Sequence, residues 1–240
     1  MNEVDLRLDL NAESLRLAVL ADLHVDSEFD IVNLRGIAKA VIEADPDFIV
    51  LLGDYSSSAY SDQFRESVLK ELSIFDGSKT VAILGNHEHA SDASKWTAGF
   101  GEIDVTLLRN QAVLLSNRGR TVCFRGLDDY FSGKTKPTPF PPECSDLAKI
   151  SLTHDPAAAY FSPDSGFFLA GHTHCGQIRL PLMGPLWIPS SAPVEASCGL
   201  YEEDGKTIFV SSGIGTSILN FRLGTQSEWD LIEIDIQSMK

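Results

Sequence analysis

The chain has 240 residues, 34 acidic against 19 Lys and Arg, for a net charge of −15, and 43% of its residues are hydrophobic. That apolar content is enough for a core and excludes disorder as the main state. The acidic balance disfavours a binder that neutralises long stretches of nucleic-acid phosphate, but it leaves room for a small anionic substrate at a site of opposite local sign.

Val4, Leu6, Leu8 and Leu10 alternate with polar residues, the period of a strand, and after a polar break Leu15 to Leu20 form a second apolar run, so the two read as a hairpin. Leu34, Ile37, Ala38, Val41 and Ile42 recur at helical spacing. That helix should stop ahead of Asp45-Pro46, because proline disfavours helix in the residue before it. Phe48 to Leu52 is a short apolar run suited to a buried strand. Phe64, Val68, Leu69 and Leu72 mark a second helix, and Thr80 to Leu84 a third core strand. This alternation predicts an α/β architecture with a partly parallel sheet.

The second half reads as richer in strands, at Ala112 to Leu115, Val122 to Arg125, Lys149 to Thr153, Gly166 to Ala170, Thr207 to Ser211 and Trp229 to Ile236. Tyr130 to Pro142, with four prolines, reads as a long surface loop. Leu180 to Ala192 is an unusually apolar loop, with Leu182, Met183, Leu186, Trp187 and Ile188. It reads equally as a cover over the core and as a contact with a membrane or a lipid-like substrate. No repeat, low-complexity tract or linker divides the chain, so residues 1–240 read as one domain. The four cysteines form no C-x-x-C pair, the N-terminus lacks a signal-peptide pattern, and no apolar run approaches the ~20 residues of a membrane span. Reduced thiols in a cytoplasmic protein are the expectation.

The chemistry sits where the apolar strands end. They run into Asp22-Leu-His24, Gly53-Asp54, Gly85-Asn86-His87-Glu88, His154 and Gly171-His172-Thr173-His174. The C-terminal edge of strands is where α/β sheets place their ligands. All six histidines, the sixth being His89, lie in or beside these motifs. Imidazole, carboxylate and amide oxygen together suit Mn, Fe, Zn or Co better than Mg. Seven such side chains are too many for one tetrahedral zinc and fit two divalent metal ions that share a bridge. Asp54, with two oxygens, is a natural bridge. No G-x-S-x-G nucleophile motif is present.

These five motifs, in this order from about Leu17 onward, resemble the calcineurin-like metallophosphoesterase family. The resemblance implies a four-layer α/β/β/α sandwich of two mixed sheets. It implies Asp22, His24 and His174 on one metal, Asn86, His154 and His172 on the other, and Asp54 between them. His87 would then contact the phosphoryl oxygen or protonate the leaving group. The implied reaction is hydrolysis of a phosphate mono- or diester by a metal-bridging hydroxide, with manganese as the expected ion. Gly171-His-Thr-His-Cys-Gly-Gln-Ile-Arg-Leu-Pro181 resembles the bacterial phosphodiesterase branch that carries G-H-T-H-G-G-Q-I-R-L-P, as does Gly126-Leu-Asp-Asp129. Members of that branch act as phosphodiesterases or as pyrophosphatases on a UDP-linked diacylglucosamine lipid precursor. Cys175 replaces the usual glycine and reads as a small packed residue, and the export segment of many relatives is not seen.

A catalytically silent metal-binding interaction module is the reading from a different class. His89 reads as a rim or helix-start residue, Asp128 and Asp129 as turn residues or as contacts to substrate or water near the site, and Arg179 and Arg222 as surface ion-pair partners or phosphate contacts. The expected partner is a small phosphate ester. Nucleic acid is not expected, and the Trp187 loop is the candidate for peripheral membrane contact.

Overall fold

The computed structural model describes residues 2–5 and 14–235. In chain order the first half forms β1 (Asn2–Asp5), β2 (Ser14–Leu20), α1 (Glu28–Glu43), β3 (Phe48–Leu51), α2 (Ser61–Leu72), β4 (Thr80–Ala82), α3 (Asn86–Ala90), α4 (Ala93–Glu102) and β5 (Thr106–Leu107). The second half forms β6 (Gln111–Asn117), β7 (Arg120–Gly126), β8 (Ala148–Leu152), α5 (Pro156–Tyr160), β9 (Gly166–Ala170), β10 (Arg179–Leu180), β11 (Gly184–Pro185), β12 (Gly199–Glu203), β13 (Lys206–Val210) and β14 (Asp230–Asp235).

Two six-stranded sheets result, in the orders β1-β14-β2-β3-β4-β5 and β12-β13-β9-β8-β7-β6. In each, four neighbouring strands run parallel, β2 to β5 in the first and β13, β9, β8 and β7 in the second. Antiparallel neighbours flank them, β14 beside β2, and β12 and β6 at the edges of the second sheet. Alternation along each strand sends side chains to both faces. Leu15, Leu17 and Val19 of β2 meet Phe124, Ile150 and Leu169 of the second sheet in the core between the sheets. Ala18 and Leu20, with Ile49 and Leu51 of β3, point the other way, under Leu34, Val68 and Phe100 of the helices. Full burial of each large apolar side chain contributes about 1.5–3 kcal/mol. The outer face of the second sheet is covered more thinly: Phe168, Ile208 and Val210 pack beneath Ala159 of the five-residue α5. The result is the four-layer α/β/β/α sandwich.

Local signals account for α1. Ser27 caps it by accepting from Asp30 N, and it stops at Glu43, ahead of Asp45, which takes φ 50, and Pro46. Ile31, Leu34, Ala38 and Val41 form its buried face, whereas Ile42 is exposed.

Two expectations are corrected. The N-terminal hairpin does not form among the described residues, since β14 lies between β1 and β2, parallel to the first and antiparallel to the second. Leu6, Leu8 and Leu10 fall outside the described residues. The reduced-thiol expectation also fails: Cys123 is bonded to Cys144 and Cys175 to Cys198, with Cα atoms 5.8 and 4.7 Å apart. Folding sets cysteines 21 and 23 positions apart side by side, which no local spacing announces. Such bonds persist in oxidising compartments, so the thiols no longer support a cytoplasmic setting. Among the described residues, no helix is long and apolar enough to cross a membrane.

Candidate metal centre

The C-terminal ends of β2, β3, β4, β8 and β9 converge, and the chain leaves several of them in the left-handed region. Asp22, His24, Asp54, His172 and His174 have φ of 53, 44, 54, 68 and 50°. For residues with a Cβ this conformation costs roughly 1–2 kcal/mol each, and such strain collects at functional sites. Backbone bonds between neighbouring strand ends hold it in place: Asp22 N donates to Gly53 O (3.1 Å), His24 N to Asp54 O (2.9 Å) and Gly171 N to His154 O (2.9 Å). Gly53 takes φ +91 against the backbone of Gly85, and a Cβ on Gly171 would lie 2.6 Å from Asp22 Oδ2. The glycines in the motifs thus let one strand end press against another.

Two groups of side chains meet around Asp54. In the first, His24 Nε2 lies 3.0 Å from His174 Nε2, and Asp22 Oδ1 is 3.8 and 3.7 Å from these two nitrogens. In the second, His154 Nε2 lies 3.2 Å from Asn86 Oδ1, and His172 belongs to the same cluster. Asp54 Oδ2 sits between the groups, 3.5 Å from His24 Nε2 and 3.2 Å from His154 Nε2. His87 stands at the edge, its Nε2 3.8 Å from Asp54 Oδ2.

The outer contacts aim these groups. His154 Nδ1 meets Leu52 O at 2.7 Å, so Nδ1 carries a proton and Nε2 is the inward atom. His172 is reversed: its Nε2 meets Pro189 O at 2.6 Å, so Nδ1 is the inward atom. Asp22 accepts His172 N, and Asp54 Oδ1 accepts His87 N at 2.9 Å. Glu88 turns away from the cluster and accepts Asp54 N, Gly85 N and Tyr55 N at 2.8–2.9 Å, which holds the turns after β3 and β4 together.

Charge is finely balanced here. Burial pushes the Asp22 carboxyl up to about 7, against the pull of His154. Burial also drives His24 down to about 3 and His174 well below the usual range, the latter helped by His24 and Arg222. Burial would raise Asp54, but His154, His87 and His24 together hold it well below the usual carboxylate range. Burial would lower His154, but Asp54 and Asp22 hold it well above. His154 and Asp54 thus each favour the charged form of the other.

The donor set fits cations in the same place. Neutral imidazole is the ligating form, and burial favours it at His24 and His174. Two ring nitrogens on one ion at ~2.1 Å and right angles stand about 3 Å apart. Carbonyl partners behind His154 and His172 are the outer contacts that metal-bound histidines usually make.

A cavity of about 620 Å³ opens over the cluster, lined on one side by His24, Asp54, Asn86 and His87 and on the other by Ile178, Leu186, Trp187 and Ile218. Phe131 packs on the His172 ring, with centroids 5.1 Å apart. The other residues singled out in the sequence do not line the cavity. His89 Nε2 pairs with Asp128 at 2.6 Å, and Arg109 joins them. Asp129 serves a turn, accepting Ser132 N. Arg179 donates to Cys175 O. Arg222 is neither a surface ion pair nor turned toward the cavity. Its guanidinium donates to Ser212 O and Gly213 O and lies 3.1 Å from His174 Nδ1. That role, like those of Arg109 and Pro189, has no local sequence signal, because each partner is distant in the chain.

Comparison with known proteins agrees with this geometry. The calcineurin-like phosphoesterase family matches residues 15–176. Phosphodiesterase YaeI of Escherichia coli (strain K12) is 32% identical over 241 residues, covering 93% of this chain and 83% of its own. The uncharacterized metallophosphoesterase YkuE of Bacillus subtilis (strain 168) is 30% identical over 229 residues, covering 90% and 77%. Among solved structures, a dimetal phosphatase from Danio rerio superposes with a TM-score of 0.50 at 13% identity, over 83% of this chain and 87% of that one, a likeness of fold. The chain spans about half the length of several other solved chains that it resembles. With the family pattern running across both sheets and the strand-end cluster lying inside it, the chain belongs to the calcineurin-like phosphoesterases, metal-dependent hydrolases of phosphate esters.

Proposed function

We propose that the chain, acting as one unit over residues 1–240, is a phosphodiesterase with a two-metal centre. Asp22, His24 and His174 would hold one divalent cation, Asn86, His154 and His172 the other, and Asp54 would serve both. The observation that carries this reading is the meeting of two buried clusters, Asp22–His24–His174 and Asp54–His154–His172, with Asp54 Oδ2 also 3.5 Å from His24 Nε2. Manganese is the ion we propose, and iron, zinc and cobalt suit the same donors. When bound, such a pair lowers the pKa of water and offsets charge on the phosphoryl oxygens.

The chain's own residues supply the rest. His87 Nδ1 accepts Ser58 N at 3.0 Å, which leaves the proton of the neutral ring on Nε2. That N–H faces the cavity, where it would donate to a phosphoryl oxygen or to the leaving oxygen. The apolar wall of the cavity would shed water around the ester.

A second reading, pyrophosphatase action on a nucleotide-linked lipid, draws support from that same wall of Ile178, Leu186, Trp187 and Ile218. A panel of phosphate monoesters, diesters and nucleotide pyrophosphates, assayed with Mn, tests both. We expect the highest kcat/KM on a diester and its loss in Asp54→Ala. Release of a nucleoside monophosphate from a lipid-linked pyrophosphate as the preferred reaction would favour the second reading. Bound metal with no turnover on any substrate would overturn both and leave a metal-binding module.

A further inference from the structure

Large apolar side chains crowd the mouth of the cavity, in its lining and beyond it. The β10–β11 hairpin carries Leu182, fully exposed, and Met183, 74% exposed, with Trp187 following. The loop from Ser217 to Leu223 carries Ile218, 85% exposed, and Phe221, 53% exposed. Both segments are tied to Gln177–Arg179. Gln177 Nε2 donates to Leu219 O at 2.7 Å and Arg179 N to Leu223 O at 2.7 Å, while Leu186 N donates to Ile178 O at 3.0 Å. One short segment therefore ties two apolar prongs together at the same mouth, where Trp187 and Ile218 both line the cavity.

The charge distribution singles out the same region. The chain carries 34 acidic residues, yet none falls in residues 165–194 or 205–227, which contain both prongs. An ordinary solvent-facing surface of so acidic a protein would carry its share. Narrow loop tips of Leu, Met and Trp, free of carboxylates, match the interfacial layer of a bilayer, where apolar tips bury among acyl chains and Trp favours the headgroup level. A wide protein interface would need a broad flat patch instead.

We propose that the two prongs dock the cavity mouth onto a lipid bilayer surface. Attachment is apolar, so it persists in salt. On anionic vesicles it strengthens as salt is added, because the remaining acidic body is repelled and that repulsion is screened over about 10 Å at 0.1 M. The inference goes beyond the proposed chemistry and does not depend on it.

Flotation of the full, Mn-loaded chain with phosphatidylcholine vesicles tests it, against the double variant Leu182→Asp/Met183→Asp. Neither of these residues lines the cavity, so hydrolysis of a small soluble ester and metal content should match the parent chain. The expected result is flotation of the parent chain and a vesicle-bound fraction roughly tenfold or more lower for the variant. Failure of the parent chain to float on any vesicle would overturn the proposal, as would equal flotation of the variant. A parent dimer that the variant dissolves, without flotation, would also overturn it and assign the prongs to a second copy. A chain that floats but hydrolyses nothing would sink the proposed activity and leave the docking surface standing.

Discussion

Nε2 of His24 and Nε2 of His174 stand 3.0 Å apart, although 150 positions separate the residues. One follows β2 of the first sheet and the other follows β9 of the second, so the two sheets are joined at this contact. Removing either ring takes a ligand from the first proposed cation. His174→Ala should lose about one metal equivalent per chain, and its phosphodiesterase rate should fall about 100-fold or more. Metal analysis beside the rate assay checks this, and full activity with two metals retained would overturn the two-metal reading.

His87 is expected to behave differently, since its Nδ1 is engaged by Ser58 N. His87→Asn should lower kcat by ~10²–10⁴-fold while metal content stays unchanged. Loss of metal in that variant would instead make His87 a ligand.

Glu88 is a test of scaffolding. It is fully buried and accepts three backbone N–H groups, from Gly85, Asp54 and Tyr55. An orphaned buried donor costs about 1–3 kcal/mol, so Glu88→Ala should destabilise by roughly 3 kcal/mol or more. Glu88→Gln, which keeps one acceptor oxygen, should lose less. Urea unfolding midpoints of the two variants give the comparison, and equal midpoints for Glu88→Ala and the parent chain would contradict it.

Asp230 on β14 gives a pH dependence away from the site. Burial pushes its carboxyl up to about 7, with Ser211 opposing and Glu228 adding. Between the unfolded value near 4 and the folded value near 7, the folded chain holds more proton than the unfolded one. This group's contribution is therefore complete below about pH 4 and is lost as pH rises through 7. Three pH units correspond to on the order of 4 kcal/mol. Asp230→Asn should match the parent chain near pH 4 and exceed it in stability at pH 8. Parallel pH profiles of the two unfolding midpoints would show that Asp230 ionises freely.

Much of the cluster was legible because a buried parallel strand is an uninterrupted apolar run, and the first polar residue after it marks the rim. Phe48 to Leu52 followed by Gly53-Asp54 is the clearest case. The elements that escaped are those whose form is decided elsewhere in the chain. β5 is two residues long and exists through its pairing with β4. β12 is mostly solvent-facing and pairs with β13. The capped helix α4 is the exception, since it carries a local signal in Asp92 ahead of Trp96 and Phe100. The N-terminal hairpin was the natural inference from two adjacent alternating runs, but β14, more than two hundred residues later, takes the place between them. Arg222 and Pro189 support His174 and His172 only because loops distant in sequence return to the rim.

The place of β14 also bears on how the chain is made. β2 carries Asp22 and His24 at its end, pairing with β3 on one side and with β14 on the other. A ribosome must add the 209 residues between Leu20 and Asp230 before that second edge is covered, a wait of roughly 10–40 seconds. Throughout it, the apolar Leu15–Leu20 run is an open edge strand, the form most prone to wrong pairing. Translation is thus an interval in which this centre is at risk, and the open side of β2 is covered only when β14 pairs with it.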